Sequence, residues 1–171
     1  HYSSRRQRQM CIRDRDKAIR KGSVVIQRHS MKIKGKEYCK WIDDNYLMIG
    51  KAYFYKGEFD EALKTFLFIV DEFKKTEIAY EAKIFALRTY SEKNDFLACE
   101  GVITELNKKR TLNKKTKLLK HSSIADCYLK QQNYSLATDE LKECIKLSNK
   151  KQASRFKYIL AQVYQKVGNQ K

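Results

Sequence analysis

Residues 41–73 read WIDDNYLMIGKAYFYKGEFDEALKTFLFIVDEF, and the spacing within this stretch decides the fold. Ile42, Tyr46, Ile49 and Tyr53 fall at i, i+4, i+7 and i+11, one stripe along a helix. The turn KGEFD follows, with Gly57 placed to end the first helix and Asp60 placed to cap the second. Ala62, Phe66, Ile69 and Phe73 then stripe that second helix. Gly50 and Ala62 are small enough to let the two helices approach closely. Tyr53, Phe59 and Phe66 fill the space beside them, each contributing roughly 1.5–3 kcal/mol on burial. One hairpin cannot cover both stripes, so neighbouring hairpins must stack.

The same unit recurs along the chain. Tyr53, Tyr90, Tyr128 and Tyr164 stand 37, 38 and 36 residues apart, each expected near the end of a first helix. The second copy carries Ala82, Ala86 and Tyr90 on its first helix, then Ala98, Val102 and Leu106 on its second. The third carries Ala125 and Tyr128, then Tyr134, Ala137, Leu141 and Ile145. A fourth begins with RFKYILAQVYQKVGNQK, and KAIRKGSVVIQRH aligns without gaps on EALKTFLFIVDEF as the second helix of an earlier copy. The fold class expected is all-α, an α-solenoid of antiparallel helix hairpins. The expected organisation is a leader over 1–16, a partial repeat and loop over 17–40, repeats over 41–75, 76–112 and 113–150, and a partial repeat over 151–171. Both ends are then cut inside a repeat.

The motif has a name. Tyr46, Ile49, Gly50 and Tyr53, followed by Ala62 and Phe66, resemble the tetratricopeptide pattern W-x2-L-G-x2-Y with A-x3-F. Later copies depart from it: Leu87 and Ala125 stand at the glycine position, and no copy ends in Pro. The resemblance covers nearly everything after the leader and implies a scaffold that binds another protein or peptide. A narrower resemblance lies in KWIDDNYLMIGKAYFYKGEFDEALKTF and RFKYILAQVYQKVGNQ. These stretches are similar to tetratricopeptide lipoproteins of the Bacteroidetes associated with gliding motility and the type IX secretion system. That family implies a periplasmic, outer-membrane location, with membrane attachment through a lipid anchor upstream of this sequence. A generic cytoplasmic tetratricopeptide adaptor is the alternative.

Composition agrees with helices. The 171 residues include no Pro and 6 Gly, whereas sheet-rich folds with many tight turns use more of both. The first sixteen residues, HYSSRRQRQMCIRDRD, carry five Arg without hydrophobic periodicity. The string SSRRQRQMCIRDR also resembles translated sequencing-adaptor DNA, so this leader is set aside as foreign or disordered. That exclusion alters the charge argument. The whole chain is +17, and without the leader 32 basic and 18 acidic residues leave +14, from 27 Lys and 5 Arg. Readers of bases and phosphates favour the planar Arg fork, so this Lys-dominated excess fits a solvated surface equally well and weakens the charge-based case for nucleic acid. The run NKKRTLNKKTKLLK, residues 107–120, holds seven cations and no acid. It could meet an anionic surface, but it lacks the interleaved aromatics that stack bases.

The sequence advertises no catalysis, cofactor or metal site. His29 and His121 have no patterned nucleophile partner. Asp43 and Asp44 are adjacent and suit a helix start better than an acid–base pair. Cys39, Cys99, Cys127 and Cys144 form no CxxC pair, and the last three fall in apolar helical patterns. The working surface expected instead is the face of the first helices opposite their packed stripe. It would comprise Leu47, Lys51, Phe54 and Tyr55, then Ile84 and Arg88, then Asp126, and finally Tyr158 and Gln162.

Overall fold

The computed structural model describes residues 2–29, 32–33, 36–37, 41–74, 76–108 and 112–168. The described elements are helical apart from one antiparallel pair of two-residue strands, β1 (Lys32–Ile33) and β2 (Lys36–Glu37). Two compact units emerge, His1–Thr89 and Tyr90–Lys171.

The first unit contains α1 (Tyr2–His29), α2 (Ile42–Lys56), α3 (Phe59–Glu72) and most of α4 (Glu77–Glu92). Asp43 and Asp44 occupy the first turn of α2 and Lys56 the last, each placed favourably against the helix dipole. Gly57 ends that helix at φ +86°, where other residues would be strained. Its N–H reaches Phe54 O, and the Glu58 N–H reaches Tyr53 O. The start of α3 corrects one expectation: Glu58 is the N-cap residue, and Asp60 sits inside the first turn beside Glu61. Asp60 therefore favours the helix start through its charge, without capping it. Ala62, Phe66 and Ile69 are wholly buried on one face of α3.

Glycines set the spacing around α2. A β-carbon on Gly50 would stand 2.6 Å from Phe66 Cε1, and one on Gly22 would stand 2.8 Å from Ile49 Cγ1. Thus α3 and α1 both lie against α2. The segment read as a foreign or disordered leader is part of α1, which runs continuously from Tyr2. Its last two residues reach the end of α2. Arg15 Nη1 donates to Tyr55 O at 2.6 Å, and Asp16 pairs with Lys56 at 2.7 Å. Lys56 also pairs with Glu58, and its ammonium is held above the ordinary lysine value by Asp16 first and Glu58 second.

The second unit contains α5 (Phe96–Lys108), α6 (Lys114–Lys130), α7 (Tyr134–Leu147) and α8 (Lys150–Gly168). Side-chain caps mark its helix starts. Asp95 Oδ1 accepts from Ala98 N, Asn113 Oδ1 from Thr116 N, and Asn133 Oδ1 from Leu136 N. Asn149 and Gln152 bond each other's backbone N–H groups reciprocally, a capping box that starts α8. Ala125, Leu141 and Val163 form a buried cluster, against which Leu129, Tyr134, Phe156, Ile159 and Leu160 pack.

Helix phase differs from expectation by one residue in two places. On α5 the buried stripe is Cys99, Ile103 and Leu106, with Ala98 and Val102 half-buried beside it. On α7 Cys144 is buried and Ile145 lies at the edge. Cys99 thus fills on α5 the small-residue position where Ala62 sits in α3, and Cys144 stands on α7 where Ile69 does. Cys39 lies outside the described residues. Burial pushes the Cys144 thiol up to about 12, and the Cys99 thiol is pushed up by its hydrogen bond to the Cys127 sulfur and by burial. Neither becomes the reactive thiolate readily. In the native protein at pH 8, Cys99 and Cys144 should react with iodoacetamide on the order of a hundredfold more slowly than after urea unfolding. Peptide-resolved mass spectrometry would check this, and labelling of Cys99 at the rate of an exposed thiol would contradict the packing.

Candidate functional site

Alternation along α2 leaves one strip open. Trp41, Asp44, Met48 and Tyr55 are exposed and Lys51 is half-buried, while Leu47, Ala52 and Phe54 turn inward. On α4 the corresponding strip carries Glu81 and Arg88, half-buried, around the buried Phe85 and Ile84. Lys51 Nζ donates to Glu81 Oε1 at 2.6 Å, joining the two helices.

Aromatic rings lie beneath these charges. Phe54 and Phe85 meet edge to face, with centroids 6.0 Å apart, and Phe66 approaches Phe85 at 5.5 Å. Lys51 Nζ sits 4.9 Å from the Phe85 centroid. Arg88 Cζ sits 5.0 Å from the Phe54 centroid and 5.1 Å from that of Phe85. Two cations are therefore held against ring faces, whose quadrupoles attract them. Tyr55, half exposed to solvent, stands edge to face with Phe54 at 5.3 Å. Burial raises the Asp44 carboxyl above its ordinary value, aided by Asp43 and Glu81 and opposed by Lys51. Burial also pushes the Tyr80 phenol up to about 12.

The nine residues expected to line a groove divide accordingly. Lys51, Tyr55 and Arg88 share one face of the first unit. Leu47, Phe54 and Ile84 do not offer themselves to a partner, because they are buried in the unit itself. Their assignment to the groove is corrected: Phe54 is spent on Phe59, Phe85 and Arg88. In the second unit Asp126, Tyr158 and Gln162 are exposed, Tyr158 by 66%. Glu81 and Phe85 are the site residues that sequence reasoning missed. Their signal was weak but present, since Glu81 lies seven residues before Arg88 on the same helical face.

Other features surround this face. An open groove of about 450 Å³ lies between α1, α2 and α3, with Ile26, Tyr46, Tyr53 and Phe68 among its lining. In the second unit His121 Nδ1 meets Glu140 Oε2 at 2.6 Å, a clasp between α6 and α7 that no sequence spacing announces. Two cations of the basic run are engaged, and residues 109–111 of it lie outside the described residues. Lys120 is buried, bonded to Asn107 Oδ1, and depressed in basicity by that burial, while Lys108 pairs with Glu105. Among the described residues no group of three or more His, Cys, Asp or Glu could hold a metal ion, and no helix is long and apolar enough to cross a membrane.

The family model of the tetratricopeptide repeat matches residues 43–67 and 121–151. Both segments are similar to tetratricopeptide repeats. The first match spans α2 and the buried Ala62–Phe66 half of α3; the second runs from within α6 through α7. The all-α class of antiparallel solenoid hairpins expected from the tyrosine spacing is thus the class found. Tetratricopeptide repeats in general mediate protein–protein interaction and are non-catalytic scaffolds. No curated protein matches the chain.

Proposed function

We propose that this chain is a non-catalytic scaffold that captures a partner polypeptide on the α2–α4 face of its first unit. The observation carrying this reading is the strip Trp41, Met48, Lys51, Tyr55 and Arg88. Exposed aromatics and Met stand there beside ring-anchored cations. Tyr, Trp, Met and Arg are the residues enriched at protein interfaces, and a few of them carry most of the binding energy. A groove of this kind accepts an extended segment or an amphipathic helix. Panning the full chain against a displayed random-peptide library should yield binders whose affinity falls roughly tenfold or more in Tyr55→Ala. Leu97→Ala, on an exposed position of α5, should leave them unchanged. Binders indifferent to Tyr55→Ala would move the surface elsewhere.

The finer reading places this scaffold in a Bacteroidetes envelope lipoprotein serving secretion or gliding. Its support is the resemblance of the stretches around residues 40–66 and 155–170. The reading frame upstream decides it: a signal peptide ending in a lipid-bearing Cys is expected, and an initiator Met followed directly by repeats would favour the cytoplasmic adaptor. An anionic-surface role for residues 107–120 is the lesser reading, given the engagement of Lys108 and Lys120.

A further inference from the structure

The cations of the first unit are not equally engaged. Lys51 is held by Glu81, and Lys56 by Asp16 and Glu58. Arg88 differs: among the described residues its guanidinium has ring contacts but no hydrogen bond and no ion pair. It lies half-buried in the corner between Phe54 and Phe85, whose planes stand at 83°. Rings attract the charge but accept few of the five N–H bonds the group can donate. Anchoring by two rings also restricts a long side chain, so less freedom is lost when a ligand arrives.

Resting on the surface proposed above, we infer that Arg88 anchors a side-chain carboxylate, Asp or Glu, of the partner polypeptide, with Tyr55 covering an apolar residue beside it. The planar fork accepts a carboxylate through two parallel N–H···O bonds. Charge sets the class of ligand. Glu81 neutralises Lys51, and Asp44 adds a further negative charge on the same face. Lys51 and Arg88 against Glu81 and Asp44 leave no net charge on this face. Arg88 is the one of these two cations without an ion pair among the described residues, which suits a single carboxylate and not a polyanion. A phosphate dianion or a nucleic-acid backbone would meet Glu81 and Asp44 as repulsive neighbours, and an anionic bilayer calls for several cations on one face.

The test uses the full chain and three fluorescein-labelled pools of short peptides. They share random Leu, Phe, Ser and Ala flanks and carry Glu, Gln or phosphoserine at the centre. By anisotropy the Glu pool should bind roughly tenfold more tightly than the Gln pool, a difference that Arg88→Gln reduces to about twofold or less without weakening the Gln pool. Arg88→Lys, which keeps the charge and loses the fork, should retain part of the preference. Equal binding of the Glu and Gln pools, or a preference surviving in Arg88→Gln, overturns the carboxylate anchor; a Tyr55→Ala loss in that same experiment leaves the surface standing. Tighter binding of the phosphoserine pool, abolished by Arg88→Gln, makes the ligand a phosphopeptide and overturns the assignment. Indifference of every pool to both Arg88→Gln and Tyr55→Ala overturns anchor and surface together. Should Arg88→Gln melt early, the wild type decides. Sodium acetate, and not sodium chloride at equal ionic strength, should shift the Arg88 Nε–Hε NMR signal, and an unmoved signal refutes the anchor.

Discussion

Phe66→Ala should lower the unfolding free energy of the first unit by about 3–5 kcal/mol, the largest loss expected from one substitution in this chain. The ring is wholly buried, faces the Phe85 ring at 5.5 Å, and lies against Gly50 closely enough to exclude a methyl group. Truncation removes the transfer energy of the ring and leaves a cavity between α2, α3 and α4. Rigid neighbours cannot refill that cavity, because Phe54 is itself fixed between Phe59 and Phe85. Urea unfolding followed by the fluorescence of Trp41, the chain's one tryptophan, reports on this unit. A loss below about 1.5 kcal/mol would mean that the rings collapse into the space, against the close packing of Phe54, Phe66 and Phe85.

Gly50→Val should cost about 2–3 kcal/mol, through the opposite fault. Replacing a helical glycine ordinarily gains a few tenths to about 1 kcal/mol of propensity. Here the new β-carbon would lie 2.6 Å from Phe66 Cε1 and 2.9 Å from Cδ1, so α3 must retreat or the ring must leave its rotamer. Both faults concern one contact, and they should therefore fail to add. In a Phe66→Ala background the valine enters the space the ring vacated, and its cost should shrink by at least about 1 kcal/mol. Additive losses would show that Gly50 and Phe66 act independently, against the geometry.

How much of this was legible beforehand follows from distance along the chain. The α2–α3 hairpin could be read because its instructions are local: aromatic stripes, small residues at the crossing and a glycine at the turn. Two phase errors arose where local instructions were ambiguous. On α5 the sets 98, 102, 106 and 99, 103, 106 both fit a helical period, and Cys99 rather than Ala98 is the small residue used. The groove was partly misread because α2 was treated as two-sided. It packs on three sides, against α1 and α3 and, through Phe54, against Phe85 of α4. Pairings such as Lys51 with Glu81 and His121 with Glu140 join residues 30 and 19 apart, and only folding brings them together.

The two glycine contacts on α2 bear on how this protein could change over time. With Gly22 against Ile49 and Gly50 against Phe66, most positions of the helix are fixed by what they touch. Trp41, Asp44 and Tyr55 stand outside that constraint, unlike Met48, whose Cε would lie 3.3 Å from a β-carbon on Gly22. Replacements at those three positions leave the hairpin intact, so the choice of partner can drift while the architecture holds still.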